Sequence, residues 1–251
     1  MSLSDAQLDR YARHIILRDI GGTGQVRLTQ AHVALIGAGG IGCPAIQYLA
    51  AAGVGRLTLI DDDAVSLSNL QRQVLYGDAD IGHPKVDAAA RAVAGLNPET
   101  AVSVHRSRIG AGNVAALLEG AHVVLDGSDN FATRLIVADH CHAARIPLVS
   151  AAIAQFHGQI ATFRSWEPDK PCYRCFVGDA HDPDDCDSCA EQGVLGALCG
   201  MMGSFAAMEA IRQITGFGED AAGKLHVFDG LKPAMRTIKL PKDPACRTCG
   251  S

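Results

Sequence analysis

Short apolar runs alternate with segments of helical periodicity along the first 151 residues of the chain. Apolar runs of five or six residues are typical of buried strands, and apolar residues three and four positions apart are typical of amphipathic helices. Strands are therefore predicted at 32–37, 56–61, 101–106, 122–127 and 147–151, and helices at 4–18, from 42 to about 52, and at 84–96, 113–119 and 131–144. Strands that alternate with helices predict an α/β fold with a doubly wound, mostly parallel sheet.

The pattern changes after residue 151. A longer strand is predicted at 156–164, followed by a polar segment rich in proline and cysteine, a buried helix over 195–215 and two strands at 224–228 and 236–240. Strands without helices between them favour a C-terminal antiparallel elaboration. We therefore predict a single domain over 1–251, which comprises the N-terminal helix 4–18, a core over 30–151 and an elaborated C-terminal half over 152–251.

The composition is that of an ordinary globular protein and excludes several classes of partner. The formal charge of −5 argues against non-specific binding to nucleic acid or anionic lipid. The longest apolar run, at 194–208, is too short to span a bilayer, and the N-terminus lacks the apolar segment of a signal peptide. We expect a cytoplasmic protein that binds neither nucleic acid nor membrane. Its nine cysteines should stay reduced and serve metal binding or chemistry.

Three glycines, Gly37, Gly39 and Gly42, form a G-x-G-x-x-G pattern between the first predicted strand and its helix. Asp61 ends the second strand, about 20 residues further on. In this context the glycines let the backbone approach phosphates, the helix N-terminus attracts them, and the carboxylate binds a ribose hydroxyl. The pattern predicts a Rossmann-like site for an adenine nucleotide, and it leaves both NAD and ATP open.

Charged residues beyond the second strand favour ATP. Arg72 and Lys85 would bring two positive charges to a triphosphate, although a single Arg or Lys is most often a solvated surface charge. Asp129 follows the fourth strand, at the sheet edge that faces the ligand crevice of such folds, where it is placed to hold Mg²⁺. Its neighbour Asn130 either borders the site or caps the next helix.

Two C-x-x-C pairs, Cys172 with Cys175 and Cys246 with Cys249, predict a structural zinc site with four thiolates and no position for water. Such a zinc would tie the C-terminal tail to the cysteine-rich segment. A third pair, Cys186 and Cys189, leaves the choice of ligands open. The cysteines in apolar helices are expected in the core, and these are Cys43, Cys141 and Cys199.

Seven motifs occur in a fixed order: RYARHIILR, GAGGIGCP, LIDDDAVSLSNLQRQ, GHPK, LDGSDN, PCYRC and CRTC. Together they resemble the MoeB/ThiF family, bacterial relatives of ubiquitin-activating enzymes that adenylate small sulfur-carrier proteins. The resemblance covers essentially the whole chain and is closest to the molybdopterin-synthase adenylyltransferases. We expect the adenylation-only architecture, without a rhodanese-like domain after Ser251.

The resemblance implies an ATP site and a role for each matching residue. The nucleotide contacts that it implies come from Gly40, Asp61, Ser68, Asn69, Leu70, Gln71, Arg72, Lys85 and Asp129. The glycine pattern adds Gly37, Gly39 and Gly42 to this site, and the position beside Asp129 adds Asn130. The resemblance makes Lys85 a phosphate-binding residue and Asp129 the Mg²⁺ carboxylate. It further implies that Arg13 reaches across a homodimer into the neighbouring site. The outer cysteine pairs become the ligands of one structural Zn²⁺ per chain, and Cys189 becomes the cysteine proposed to link covalently to the carrier.

The implied reaction is an adenylyl transfer. The C-terminal glycine carboxylate of a ubiquitin-like carrier ending in Gly-Gly attacks the α-phosphate of MgATP and releases pyrophosphate, with catalytic roles for Arg72, Lys85, Asp129 and Arg13. A sulfur donor of the cysteine desulfurase or rhodanese type acts later. The carrier of molybdopterin synthase is favoured over that of thiamine synthesis. Two alternatives are an NAD-dependent oxidoreductase, which gives Lys85 and the cysteine pairs no task, and a non-catalytic carrier-binding module.

Overall fold

The structure is a computed structural model that describes residues 3–178 and 193–250. Its helices are Asp5–Arg10 (α1), Ala12–Ile15 (α2), Gly21–Gln30 (α3), Gly42–Ala51 (α4), Lys85–Leu96 (α5), Val114–Leu117 (α6), Phe131–Ala144 (α7), Tyr173–Val177 (α8) and Gly196–Thr215 (α9). Its strands are His32–Ile36 (β1), Arg56–Ile60 (β2), Ala101–His105 (β3), Val123–Asp126 (β4), Leu148–Ala154 (β5), His157–Phe163 (β6), Lys224–Asp229 (β7) and Ala234–Lys239 (β8). Two short 3₁₀ helices lie at Leu67–Asn69 and Asp78–Asp80.

The strands form one sheet in the order β3-β2-β1-β4-β5-β6-β7-β8. The strands from β3 to β5 in this order are parallel, and β6, β7 and β8 are antiparallel additions at one edge. The predicted α/β fold, with a mostly parallel sheet and antiparallel C-terminal strands, is confirmed. The sheet is continuous from the predicted core into the C-terminal half.

Alternate strand residues face two cores, one on each side of the sheet. Leu35 and Leu57 pack in one core with apolar residues of α4, α5 and α9. Ala34 and Ile36 face the other core, which α6 and α7 cover. Because both faces are covered, the parallel strands are almost continuously apolar, as in β1, where every residue is buried. None of the helices in the described ranges combines the length and apolar character needed to cross a bilayer.

The N-terminal segment differs from the prediction of one helix over 4–18. Ser4 caps the first helix, but α1 ends at Arg10 and α2 begins at Ala12. Between them Tyr11 leaves helical geometry (ψ 13°), its side chain is buried, and its hydroxyl accepts a hydrogen bond from Asn97 at 2.8 Å. Burial of Tyr11 against the fold therefore replaces the regular helix that the sequence pattern favours.

The order of the strands positions the ligand crevice. From β1 the chain winds outward through β2 to β3, and from β4 it winds in the opposite direction to β5. The two carboxyl ends at β1 and β4 are neighbours, and the connections that leave them diverge to opposite sides of the sheet. In doubly wound folds such a point opens a crevice for ligands.

Candidate functional site

A cavity of about 640 Å³ opens at the carboxyl ends of β1, β2, β4 and β5. Its wall includes the glycine turn after β1, the charged segment after β2 and the turn between β4 and α7. It extends to Ala154 at the end of β5, to Gln159 in β6 and to Tyr173 in α8. The crevice is therefore longer than a nucleotide-binding turn and reaches the C-terminal half of the chain.

The glycine turn needs its glycines for two separate steric reasons. Gly37 has a positive φ of 87°, and a Cβ there would lie 3.1 Å from the carbonyl oxygen of Gly127. At Gly42 a Cβ would lie only 2.0 Å from the carbonyl oxygen of Gly37. Gly37 and Gly39 line the cavity, as does Gly40, whereas Gly42 packs beneath the turn at the start of α4. The turn thus brings backbone close to the ligand space, as predicted from the motif.

Asp61 holds the glycine turn in place. Its Oδ2 accepts the N–H of Ala38 at 2.7 Å, and its Oδ1 accepts the N–H of Asp63 at 2.8 Å. Burial raises the pKa of Asp61, while the charge of Lys85 and the two N–H donors oppose that rise. The side chain lines the cavity at the end of β2, where a ribose hydroxyl is expected.

Tyr76 supports the same turn from below, and its role was not predicted from the sequence. Its hydroxyl donates to the carbonyl oxygen of Ala38 at 2.7 Å, and the Cys43 thiol donates to the same oxygen at 3.3 Å. Both side chains are buried, and burial raises the pKa of Cys43 to about 12 and raises that of Tyr76. The backbone of Ala38 is therefore held on both sides. Asp61 accepts its N–H, and the Tyr76 hydroxyl donates to its C=O.

Two of the predicted cations, Arg72 and Lys85, border the cavity on the β2 side, and Arg108 also lines the cavity. Arg72 lines the wall and donates from Nη1 to the carbonyl oxygen of Ser68 at 2.9 Å. Lys85, at the start of α5, is buried and forms an ion pair with Asp63, with 2.7 Å between Nζ and Oδ2. Asp63 was not predicted as a site residue. Two positive charges at this position suit the phosphates of a nucleotide.

The turn between β4 and α7 supplies acidic and polar groups. Asp129 is exposed and lines the cavity. Asn130 also lines the cavity, and its side chain accepts the N–H of Thr133 at 2.9 Å, so it does cap α7. Asp126, at the end of β4, is 1 % exposed and accepts the N–H of Ser128 at 2.9 Å, which shapes the turn.

Two buried polar atoms in the cavity wall accept or donate no hydrogen bond within the described part of the chain. They are Oε1 of Gln73 and Oγ of Ser128. Buried polar atoms are almost always paired in native proteins, with protein, water or ligand. Unpaired atoms in the wall of a large crevice are therefore available to hydrogen-bond with water or with a bound molecule.

The predicted nucleotide residues fall into two groups. The cavity wall includes Gly37, Gly39, Gly40, Asp61, Asn69, Arg72, Lys85, Asp129 and Asn130. The others are outside the wall of the described structure: Gly42, Ser68, Leu70 and Gln71, which lie beside it in sequence, and Arg13, which is exposed on α2. The predicted contribution of Arg13 to a neighbouring subunit stays a prediction. Cys189 lies outside the described residues.

The two outer cysteine pairs come together although Cys175 and Cys246 are 71 positions apart in the chain. The Sγ–Sγ distances are 3.8 Å for Cys172–Cys175, 3.5 Å for Cys172–Cys246 and 3.4 Å for Cys175–Cys249. All four sulfurs lie within 4.8 Å of one another. Burial raises the pKa of the Cys172 thiol. Asp129, by contrast, belongs to no cluster of three metal-ligating side chains in the described ranges.

A family comparison agrees with the fold and with the motifs. The model of the ThiF family matches residues 11–248. The chain belongs to the ThiF family. Among the ThiF relatives, the SAMP-activating enzyme E1 of Haloferax volcanii is 46 % identical over 100 % of this chain and 92 % of its own length.

Two further relatives match over nearly their whole length. The molybdopterin-synthase adenylyltransferase of Escherichia coli is 43 % identical over 99 % of this chain and 98 % of its own. The sulfur carrier protein adenylyltransferase of Thermus thermophilus is 41 % identical over 100 % of this chain and 93 % of its own. The family resemblance predicted from the sequence is therefore confirmed.

Solved structures of the E. coli protein MccB share the ThiF fold. The structure of MccB with ATP superimposes with a TM-score of 0.81 at 22 % identity, and the match covers 96 % of this chain and 74 % of that chain. The complex of MccB with N-formylated MccA gives a TM-score of 0.84 at 22 % identity over 99 % of this chain and 77 % of that chain. These matches support the architecture of the sheet.

Proposed function

We propose that this chain is an ATP-dependent adenylyltransferase that activates the C-terminal glycine carboxylate of a ubiquitin-like sulfur-carrier protein. One observation carries the proposal from the geometry. A single crevice joins the glycine turn, the cations Arg72 and Lys85 and the carboxylates Asp61 and Asp129 to an extension along β5 and β6, which a second substrate would occupy. The adenylyltransferase names of the full-length relatives support the same activity.

The reaction joins the two substrates at phosphorus. A carboxylate oxygen of the carrier attacks the α-phosphorus of ATP, and the bond from that phosphorus to the bridging oxygen of pyrophosphate breaks. Pyrophosphate leaves with the bonding electron pair, and the carrier retains AMP as a mixed anhydride. Such a transfer depends on positioning and on neutralisation of charge rather than on a covalent protein intermediate.

The chain's own residues have separable tasks in this scheme. Asp61 binds the ribose, and the backbone of the turn at Gly39 and Gly40 lies along the phosphates. Arg72 and Lys85 neutralise the pyrophosphate as it departs. Asp129 would hold Mg²⁺ together with oxygens of the triphosphate, because it is an exposed carboxylate in the cavity wall. The magnesium would draw charge from the triphosphate.

The four-cysteine cluster fits a structural Zn²⁺. Tetrahedral coordination with Zn–S bonds of about 2.3 Å requires sulfurs about 3.8 Å apart, and the measured separations of 3.4 to 3.8 Å approach that value. Cys172 and Cys175 would hold the metal from α8, and Cys246 and Cys249 from the C-terminal segment. Asp243 also donates its N–H to Sγ of Cys175 at 3.4 Å, which supports a thiolate there.

The remaining assignments belong to the same proposal. The protein acts in the cytoplasm as a homodimer, and Arg13 of one subunit completes the site of the other. The favoured carrier is the small subunit of molybdopterin synthase, with the thiamine-pathway carrier next, and a cysteine desulfurase or rhodanese-type enzyme provides sulfur afterwards. In a step that follows adenylation, the Cys189 thiolate attacks the carrier's acyl-adenylate, which forms a thioester and releases AMP.

An ATP–pyrophosphate exchange assay tests the proposed function. Purified protein with MgATP and a carrier ending in Gly-Gly is expected to exchange labelled pyrophosphate into ATP, and omission of the carrier should abolish the exchange. MgATP should raise the melting temperature and NAD should not, because the two cations and Asp129 suit a triphosphate. Stabilisation by NAD alone would favour the oxidoreductase, and carrier binding without exchange would favour the non-catalytic module.

A further inference from the structure

Arg134 places a buried positive charge at the β5 side of the cavity. Its side chain extends from α7 and the residue is 7 % exposed. It donates from Nη1 to Oγ of Ser150 at 3.1 Å and from Nη2 to the carbonyl oxygens of Ala151, at 2.8 Å, and Ser128. These three bonds leave Nε–H and one hydrogen of Nη1 without a protein acceptor within residues 3–178 and 193–250. Arg134 also lines the cavity.

The acceptors of Arg134 are all uncharged. Asp126 lies beside Ser150 in the β4–β5 register, but it forms no ion pair with the guanidinium, and its Oδ2 accepts no hydrogen bond in the described structure. A buried cation without a paired carboxylate is unfavourable unless an anion offsets it. Arg174 shows the usual solution, because its guanidinium lies 2.7 Å from Asp139. Arg134 therefore lacks a counter-ion that a ligand in the cavity would supply.

Two neighbouring features also attract an anion. The hydroxyl oxygen of Ser128 is buried in the cavity wall and forms no hydrogen bond with the described residues. The 14-residue helix α7 begins here, with Phe131 and Thr133 in the wall, so that the positive end of the helix dipole faces the same space. Charge, hydroxyl and dipole thus converge on one region.

This region lies on the opposite side of the crevice from Arg72 and Lys85. Arg72 and Lys85 border it beside β2, whereas Arg134 contacts the ends of β4 and β5. Adjacent strands are about 4.8 Å apart, so β2 and β5 are separated by about 14 Å across β1 and β4. An in-line displacement at the α-phosphate needs the leaving group on one side and the nucleophile on the other. With pyrophosphate at Arg72 and Lys85, the nucleophile approaches from Arg134.

We propose that Arg134 and Ser128 form a subsite for the C-terminal carboxylate of the carrier, which orients it for attack on the α-phosphate. Arg134 supplies the charge that draws the carboxylate into the crevice, and the Ser128 hydroxyl donates to one of its oxygens. The other oxygen keeps its lone pairs for phosphorus. This subsite rests on the proposed function and specifies how the site distinguishes a free carboxylate from other chain ends.

A double-mutant-type cycle, which changes Arg134 in the protein and the C-terminal carboxylate of the carrier, tests the subsite. The probes are a Gly-Gly carrier that supports exchange by the wild-type protein and the same carrier with a C-terminal amide. Calorimetry measures the affinity of each for the protein loaded with Mg²⁺ and α,β-methylene-ATP, whose α,β bridge is not cleaved, so that the carrier is bound but not adenylated. Wild-type protein should prefer the carboxylate by about tenfold or more, as expected for a charge-assisted contact. Arg134→Met should abolish that preference and leave the affinity for the ATP analogue unchanged.

Two variants make the result interpretable. Arg164→Met removes an arginine that is ion-paired with Glu167 and Asp220 away from the cavity, and it should keep the full preference. If Arg134→Met fails to fold, Ser128→Ala decides, because it deletes a hydroxyl that forms no hydrogen bond in the described structure. A reduced preference in Ser128→Ala supports the subsite, and an unreduced one overturns it.

The failure of this inference is distinguishable from failure of the proposed function. Wild-type exchange together with an unchanged carboxylate preference in Arg134→Met overturns the subsite alone. A weaker affinity for the ATP analogue with the preference retained also overturns it, because Arg134 would then bind phosphate. Absence of exchange in the wild-type protein with any Gly-Gly carrier overturns the proposed function and, with it, the subsite.

Discussion

Lys85 and Asp63 form an ion pair whose two members lie in very different surroundings. The Lys85 side chain is 7 % exposed and the Asp63 side chain is 63 % exposed, with 2.7 Å between Nζ and Oδ2. The exposed Asp63 carboxylate therefore compensates the positive charge of the buried Lys85 ammonium group. Phosphates that enter the crevice would compete with Asp63 for the same ammonium group, so the pair prepares Lys85 for a ligand.

Asp63→Asn should destabilise the ligand-free protein more than the nucleotide complex. The substitution gives the buried Lys85 ammonium group a neutral partner. Phosphates of bound MgATP would supply a negatively charged partner again. Because Asp63 is largely exposed, solvent screens the pair and the loss should be modest. We expect the melting temperature to fall by about 2–4 °C without ligand, the shift that about 1 kcal/mol gives in a domain of this size. The rise in melting temperature on adding MgATP should be larger in Asp63→Asn than in the wild-type protein.

A second ion pair provides the control for Asp63→Asn. Asp80 and Arg91 are 2.8 Å apart outside the cavity, and Arg91 is 56 % exposed. Asp80→Asn should show the same rise in melting temperature on adding MgATP as the wild-type protein. An equal rise in Asp63→Asn and wild type, measured by thermal denaturation over a range of MgATP concentrations, would exclude competition between Asp63 and phosphate.

Arg72→Ala should reduce ATP–pyrophosphate exchange by about a hundredfold or more, because it removes stabilisation of charge that develops in the transition state. Thermal stability and metal content should remain those of wild type, since the guanidinium contacts only the Ser68 carbonyl among the hydrogen bonds described. Arg91→Ala, a surface substitution outside the cavity, is the matched control. Near-normal exchange by Arg72→Ala would remove Arg72 from the mechanism.

The sequence predicted those parts of the site that depend on local pattern. Gly37 and Asp61 were found because a strand, a turn and a second strand fix their spacing, and the structure places both in the cavity wall. Lys85 and Asp129 were predicted from their charge and their positions after strands, and the family motifs implied the same roles. Arg134 was missed because it lies mid-helix in α7, where the sequence offers no sign that its side chain returns to the ends of β4 and β5.

Helix α3 shows where propensity and tertiary structure disagree. Gly21, Gly22 and Gly24 lower helix propensity in this segment, and no helix was predicted there. The folded chain compensates through contacts that are distant in sequence. Gln25 is fully buried and donates to the carbonyl oxygen of Ala52 at 2.9 Å. Packing of this kind is not visible in the periodicity of a single segment.

Cys172→Ser should lower stability and metal content together. A structural zinc contributes free energy of folding directly, so loss of one of four thiolates should reduce zinc from one per chain to substoichiometric levels and lower the melting temperature. Cys249→Ser should behave in the same way because the two residues belong to one cluster. Below the melting transition, exchange activity should persist.

Cys141→Ala is the control for the cluster variants. Cys141 is 2 % exposed in α7 and lies outside the cluster, so its substitution should lower stability without a change in metal content. Metal analysis of freshly purified, reduced protein provides the measurement. A wild-type preparation without zinc would refute the assignment, as would a Cys172→Ser variant with a full zinc complement.

Tyr76→Phe should weaken ATP binding with little effect on the chemical step. The hydroxyl fixes the Ala38 carbonyl, and Asp61 fixes the N–H of the same residue, so loss of the hydroxyl loosens the turn that lies along the phosphates. One hydrogen bond corresponds to an increase in the KM for ATP of about threefold to tenfold. We expect kcat to change little, because Tyr76 does not contact Arg72, Lys85 or Asp129 among the hydrogen bonds and ion pairs described.

Tyr11→Phe separates this effect from general destabilisation. Tyr11 is also buried, and its hydroxyl accepts a hydrogen bond from Asn97 at 2.8 Å, but it lies outside the cavity wall. Both substitutions delete one buried phenolic hydroxyl and should lower the melting temperature. Only Tyr76→Phe should raise the KM for ATP, measured by pyrophosphate exchange at saturating carrier. If the two variants show the same KM, Tyr76 supports the fold alone, and the geometry of the glycine turn does not depend on its hydroxyl.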